Sequence, residues 1–382
     1  MSELLLLLTD FTIRNVALGA MLLGISSGVL GSFAVLRKQS LLGDMLSHAA
    51  LPGIVLGFMI AGSRQLLPLL LGALVSGTIA SLFMLLLIKR SRLKTDAALG
   101  SALSFFFAIG IVLLTYIQNT PSANQAGLTG FLFGQAASIV PSDIIILSIV
   151  SVIALVIVIT LWKEFKVVTF DVQFASTLGF PTGILEIILT SMVALAVVIG
   201  LQFVGVILMA AMIIAPAVAA RQWTERLEVM VILSAIFGAV SGIVGALISA
   251  SARGLSTGPV IVLCASAIVL ISLLFAPNRG LVWAAIKNQQ HRMSLRSQQV
   301  LTSIYKLTKE HDNPDYPTEE SMLSAYYGMN TQNIFQALER KGFISQTTHM
   351  PEEGTHWALT REGIIEAKNI LENLNPQEAS HA

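Results

Sequence analysis

The chain has 382 residues, 54% of them hydrophobic and only 12% charged, with a formal net charge of +1 and a mean hydropathy of +0.77. Soluble globular proteins carry about 25% charged residues, so the chain as a whole is not one of them. The deficit is uneven: residues 1–286 hold 14 Lys/Arg and 10 Asp/Glu, whereas residues 287–382 hold 9 and 12. Two domains are expected, a transmembrane domain over 1–286 and a tail of ordinary soluble composition over 287–382.

Leu4 to Leu8 is apolar, but Glu3 precedes it, Asp10 follows it and no basic stretch comes first, so a cleavable signal is not expected. A single cysteine, Cys264, lies in an apolar run and rules out an internal disulfide framework. A membrane-spanning helix needs about 20 mostly apolar residues. Nine segments approach that: 16–36, 45–61, 66–88, 96–117, 142–161, 185–201, 204–220, 229–250 and 258–276. The expected fold is an all-α polytopic membrane protein, with a very tight turn at Gln202-Phe203 between the sixth and seventh helices. Ten Lys/Arg follow the odd-numbered helices from the first to the seventh, and only Arg14, Arg64 and Arg253 lie on the other side. By the positive-inside rule the N-terminus lies outside and the C-terminal domain in the cytoplasm of a bacterial cell, the body being multi-pass in its inner membrane.

Charges within such a body are rare and usually functional. Asp96, Asp143 and Glu186 fall at helix beginnings, where the helix dipole favours a carboxylate, and read as structural. Asp44 and His48 differ, and His48 is the only histidine before residue 291. Asp44, Ser47 and His48 are spaced i, i+3, i+4, which on a helix places all three on one face. A carboxylate beside an imidazole suits manganese, iron or zinc; the same pair also suits a hydrogen-bonded tether between two helices. Spacing alone leaves both readings open.

The run Leu36-Arg37-Lys38-Gln39-Ser40-Leu41-Leu42-Gly43-Asp44, continued by Ser47-His48-Ala49 and Pro52-Gly53, resembles the signature of the manganese/zinc/iron ABC importer permeases. Phe131-Leu132-Phe133-Gly134, Phe170-Asp171 with Ala175 and Gly179, Val204-Gly205, Ala215-Pro216-Ala217 and Gly258-Pro259 look like the same family in the same order, over residues 11–280. The resemblance implies a membrane permease that moves divalent metal ions. Asp44 and His48 would be the metal ligands, with Ser47 a weak or supporting one. One carboxylate and one imidazole are too few to strip a hydrated ion, so a second permease subunit, identical or homologous, is expected to bring a second pair. No permanently bound cofactor is expected, only the transported ion.

No Gly-x-x-x-x-Gly-Lys-Ser/Thr phosphate loop occurs, so the chain is not expected to be an enzyme and needs a separate ATP-binding subunit. In the family the stretch Asp171–Gly183, here with Phe174, Ala175, Gly179 and Pro181, forms the coupling helix on which that subunit docks. An extracytoplasmic metal-binding protein is implied as a further partner, and lipid surrounds the body. A permease for a metal chelate shares the same helical design, and Asp44 with His48 favours the bare ion.

The tail reads as helices over Ser297–Lys309, Pro317–Tyr326 and Asn330–Lys341, two strands at Gly342–Ser345 and His356–Leu359, and a last helix after Thr360-Arg361-Glu362-Gly363. Three helices and a β-wing make a small α+β winged helix-turn-helix. Leu338–Ile344 and Leu359–Gly363 are similar to the DNA-binding domain of diphtheria-toxin-repressor-like metalloregulators. That resemblance implies a recognition helix with Thr331, Gln332 and Asn333 at its leading end and Arg340 near its close. The tail is net acidic, 9 against 12, which disfavours phosphate contact. DNA binding and protein contact both remain open, as does a membrane-tethered, metal-responsive transcription regulator. His349 and His356, with Glu352 and Glu353 between them, read as a solvated wing loop rather than a metal site.

Overall fold

The structure, a computed structural model, describes residues 11–62, 66–119, 141–251, 255–277, 279–311, 313, 316–328, 331–347 and 355–374. Phe131–Gly134, Asn330, His349, Glu352 and Glu353 lie outside them. The chain forms two compact units, 1–281 and 282–382.

The first unit is helical throughout: α1 (Phe11–Leu36), α2 (Leu42–Ala61), α3 (Leu66–Arg90), α4 (Thr95–Gln118), α5 (Pro141–Thr160), α6 (Trp162–Phe170), α7 (Val172–Thr177), α8 (Thr182–Val204), α9 (Val206–Trp223), α10 (Leu227–Ser251) and α11 (Thr257–Phe275). Among the described residues eight of these are long and apolar enough to cross a membrane. The nine expected spans reduce to eight by that measure. The segment 204–220 is the helix α9, whose described side chains resume at Met209 after the turn. The break before α9 is not at Gln202-Phe203 but at Gly205 alone, at φ +88°, a value that glycine adopts without a Cβ penalty.

Small residues set how closely these helices approach. A Cβ on Gly24 would stand 2.1 Å from the Gly238 carbonyl oxygen, one on Gly28 2.5 Å from that of Ser234, and one on Gly242 2.4 Å from that of Ala20. Ala20, Gly24 and Gly28 on α1 thus meet Ser234, Gly238 and Gly242 on α10 at four-residue spacing, the small-residue packing by which membrane helices associate where lipid offers no hydrophobic driving force. Ser234 Oγ adds a 2.7 Å hydrogen bond to Gly28 O. Gly53 on α2 and Gly72 on α3 approach in the same way, a Cβ on either lying 2.0 or 2.1 Å from the other's carbonyl oxygen.

The second unit contains α12 (Leu281–Glu310), β1 (Thr318–Glu319), α13 (Glu320–Tyr327), α14 (Gln332–Arg340), β2 (Ile344–Thr347), β3 (His356–Leu359) and α15 (Arg361–Leu374). The strands form one antiparallel sheet in the order β1-β3-β2, with Thr318 opposite Trp357 and Ile344 opposite Leu359. Three expectations are corrected. The first helix begins sixteen residues before Ser297, at Leu281. The helix expected from Pro317 starts at Glu320, and Thr318-Glu319 before it is a third strand, too short to give an alternation pattern. The core is formed by Val300, Ile304, Phe335, Leu338 and Trp357 among others, with the Phe335 and Trp357 rings stacked at 5.5 Å.

Candidate functional site

α1 ends with Lys38 in the left-handed conformation, at φ +57° the only such non-glycine residue among those described. Lys38 N donates to Val35 O and Gln39 N to Ala34 O, which closes the helix. The chain then turns back and α2 starts at Leu42, so Asp44 sits in its first turn.

That first turn lies deep in the bundle. α2 and α3 run antiparallel, with Gly53 against Gly72, Gly57 against Pro68, and Ser76 Oγ donating to Ala49 O at 2.6 Å. The same register sets Asp44 opposite Ser81 and leaves α3 to run on to Arg90, roughly 14 Å further at ~1.5 Å per residue. Leu46 reaches Gly77 near the middle of α3, where Gly77 also faces Ala194 near the middle of α8. The His48 ring meets Phe107, near the middle of α4, edge to face at 4.8 Å. The pair therefore lies at mid-height of its neighbours.

His48 Nε2 stands 3.4 Å from Asp44 Oδ1. The Asp44 side chain is 37% exposed and that of His48 22%, while His48 Nδ1 is buried without a hydrogen-bond partner. Ser47 is turned the other way: it is fully buried and its hydroxyl donates to Gly43 O at 2.7 Å. The i, i+3, i+4 spacing brings Asp44 and His48 to one opening and leaves Ser47 on the packed side. Among the described residues no three His, Cys, Asp or Glu side chains gather where they could hold a metal ion.

The other ion pairs among the described residues cluster at one end of the bundle. Glu186, in the first turns of α8, is held by Arg37 at 3.0 Å and Lys89 at 3.2 Å, so it ties together the ends of α1, α3 and α8 and does more than complement a helix dipole. Burial lowers the Arg37 pKa from its ordinary value, and the facing Glu186 carboxylate opposes that shift. Lys166 pairs with Glu228, and Arg279 with Glu225 at 2.8 Å. Sequence reasoning missed this network, since Arg37 stands 149 residues from Glu186 along the chain.

At the same end Asp171 caps α7 by accepting Phe174 N at 2.9 Å, and Gly179 leaves the helix at φ +84°. Ala175 is fully buried, whereas Phe170, Phe174 and Leu178 are each more than half exposed and four residues apart. A groove of about 510 Å³ lined by Phe170, Lys166 and residues 225–229 opens nearby. In the second unit Thr331 is fully buried with its hydroxyl bonded to that of Ser324, so it secures the start of α14, while Gln332, Asn333 and Arg340 are exposed.

A bundle of apolar helices packed through small residues, eight of them among the described residues long enough to span a bilayer, is the build of a polytopic membrane protein. Residues 9–276 match the model of the ABC 3 transport family, and the chain belongs to that family as a membrane permease, not an enzyme. It is 48% identical over 288 residues to the manganese transport system membrane protein MntC of Bacillus subtilis, covering 75% of this chain and 66% of that protein. It is 46% identical over 283 residues to the zinc transport system membrane protein TroC of Treponema pallidum, covering 74% and 95%. The solved structure of PsaBC from Streptococcus pneumoniae in complex with Fab superposes with a TM-score of 0.64 at 31% identity, over 73% of this chain and 97% of that one.

Proposed function

We propose that the chain is the permease subunit of an ATP-driven importer for divalent transition-metal ions, manganese, zinc or iron. The observation that carries this reading is the Asp44–His48 pair, open at mid-height of the bundle. A carboxylate facing lipid at that depth costs several kcal/mol, so its opening calls for water or protein. A second permease subunit presenting the same pair supplies both a cover and four ligands around a central path. Asp44 gives the hard oxygen and His48 a nitrogen, a donor set suited to first-row divalent ions. Few ligands per subunit also suit transport, because an ion must leave as readily as it enters. Ser47, turned away, acts by fixing the first turn of α2 and not as a ligand. No cofactor is bound permanently; the metal is cargo.

A separate ATP-binding subunit docks on α7, where exposed Phe170, Phe174 and Leu178 offer an apolar footing and the adjoining groove presents the charged Lys166, Glu225, Arg226 and Glu228. An external metal-binding protein delivers the ion to the opposite end. The cluster of basic residues at the α7 end supports a cytoplasmic position for it, with the N-terminus outside and the second unit in the cytoplasm. The helix and strand order of that unit, with its β1-β3-β2 sheet, supports a winged helix. Its acidity favours protein contact over DNA.

Uptake of radiolabelled manganese, zinc and iron by cells carrying the transporter tests the site. Asp44→Asn and His48→Ala should each lower uptake to background at normal membrane levels. Normal transport by both variants would return the pair to the role of a helix tether.

A further inference from the structure

The two helices that flank α7 both grip the last turn of α1. From α6, the rings of Trp162 and Phe165 stand edge to face on Phe33, each 6.0 Å away between centroids. Phe33 and Phe165 are fully buried. From α8, Glu186 Oε1 accepts from Arg37 at 3.0 Å. Arg37 N donates to Phe33 O at 3.0 Å, so the two gripped residues lie one turn apart. The second carboxylate oxygen of Glu186 faces Lys89 Nζ at 3.2 Å, at the end of α3. The Arg37 and Glu186 side chains are 8 and 11% exposed, and that of Lys89 is 54% exposed.

On both sides of this grip the chain is tied by its own backbone. Phe180 N donates to Ala175 O, and Ile184 N and Leu185 N donate to Pro181 O, which carries α7 directly into the first turn of α8. Beyond Arg37, Gln39 N donates to Ala34 O, Leu42 N to Gln39 O and Met45 N to Leu41 O, which carries the end of α1 into the first turn of α2 and its Asp44. Lys38 stands at φ +57° within that turn, a conformation a lysine keeps only where its surroundings enforce it. The Arg37–Glu186 contact joins these two stretches. For holding helix ends together an apolar contact of similar volume would serve as well. An ion pair differs in resisting separation, because parting it leaves a buried charge uncompensated. It therefore transmits a pull as well as a push.

We propose that Glu186 is the positioning residue through which the ATP-binding subunit acts on the metal pair. As that subunit displaces α7, α8 moves with it, and Glu186 draws Arg37 and the turn at Lys38. The first turn of α2 follows, which shifts Asp44 relative to the facing pair of the second permease subunit. Lys89 brings in α3, whose register on α2 sets the depth of Asp44. This inference rests on the reading of α7 as the docking helix and of Asp44–His48 as the ion site.

The test uses the whole transporter, this chain with its ATP-binding subunit and external metal-binding protein, in proteoliposomes given radiolabelled manganese, zinc or iron. Ions taken up and ATP hydrolysed are measured together. Arg37→Met with Glu186→Met removes both charges and leaves neither one buried alone. Its thermal midpoint and its co-purification of the ATP-binding subunit should match those of the unaltered chain. ATP hydrolysed per ion should rise at least about fivefold, the lower end of the usual coupling between sites. Should the double variant fail to assemble, Arg37→Lys takes its place. It keeps a cation for Glu186 but gives up the fixed guanidinium fork, and the ratio should rise about twofold. Uptake and hydrolysis that fall in proportion, or a ratio equal to that of the unaltered transporter, would make the cluster a plain staple and overturn the proposal alone. No uptake of any of the three ions by the unaltered transporter would overturn the importer reading, and this inference with it.

Discussion

The two units hold together by opposite means. In the membrane unit the closest contacts are backbone to backbone, through Gly24 and Gly238, Gly28 and Ser234, Gly53 and Gly72, and much of its large apolar surface points outward. In the second unit the core is made of large side chains, Phe335 stacked on Trp357 and ringed by Ile304, Leu338 and Leu359. The difference follows from the solvent. Water drives bulky apolar groups inward at roughly 25 cal/mol per Å² buried, while lipid gives no such drive and leaves close packing and polar bonds to hold the helices together. Enlarging a side chain should therefore damage the first unit most, and shrinking one should damage the second.

The largest effect is expected from Gly24→Leu. Its Cβ alone would fall 2.1 Å from the Gly238 carbonyl oxygen and 2.4 Å from the carbonyl carbon. Backbone atoms cannot swing aside as a flexible side chain can, so α1 and α10 must part, taking the Ser234–Gly28 hydrogen bond with them. The cost should exceed the ~1–3 kcal/mol usual for overpacking. Detergent-solubilised protein should lose its cooperative thermal transition. A variant that melts within a few degrees of the unaltered protein would show that the contact is not a determinant of stability.

Phe335→Ala is the converse experiment. It removes a fully buried ring and its stacking partner's contact, at a cost of about 3–5 kcal/mol. Limited proteolysis of the full chain should cut the second unit faster, with metal uptake retained. Unchanged proteolysis would deny that unit the core described above.

A smaller effect, on association rather than stability, separates two neighbours on α7. Ala175 is buried and Phe174 is 54% exposed. Phe174→Asp should abolish co-purification of the ATP-binding subunit and leave the melting temperature unchanged. Ala175→Glu buries a charge and should lower both. If Phe174→Asp retains the subunit, the docking surface lies elsewhere.

How much of this was legible in the sequence depends on how far each feature reaches along the chain. Spanning helices are local sums of hydropathy, and the Asp44–His48 pair is a four-residue spacing, so both could be read directly. The inward turn of Ser47 could not, because three residues on a helix leave about 60° to be allotted by whatever packs alongside. The depth of Asp44 is set by the register of α2 on α3, fixed by Gly53 and Gly72, and by the turn at Lys38. The burial of Ala175 and Thr331 likewise belongs to neighbours distant in sequence. Gly205 was visible as a residue but not as a turn, since glycine is common within membrane helices.

The smallest effect should come from removing the second unit altogether. Its core draws on residues from Val300 to Ala367, and the principal core of the membrane unit ends at Ala265, so each owns the side chains that stabilise it. The Asp44–His48 pair, the Arg37–Glu186–Lys89 cluster and the α7 surface all precede Leu281. A stop after Gly280 therefore leaves every element of the proposed transport path in place. Insertion and the thermal midpoint of the remaining bundle should match those of the full chain, and uptake should persist at least in part. Complete loss of uptake at normal membrane levels would make the second unit part of the transport machinery and end the division drawn between the two.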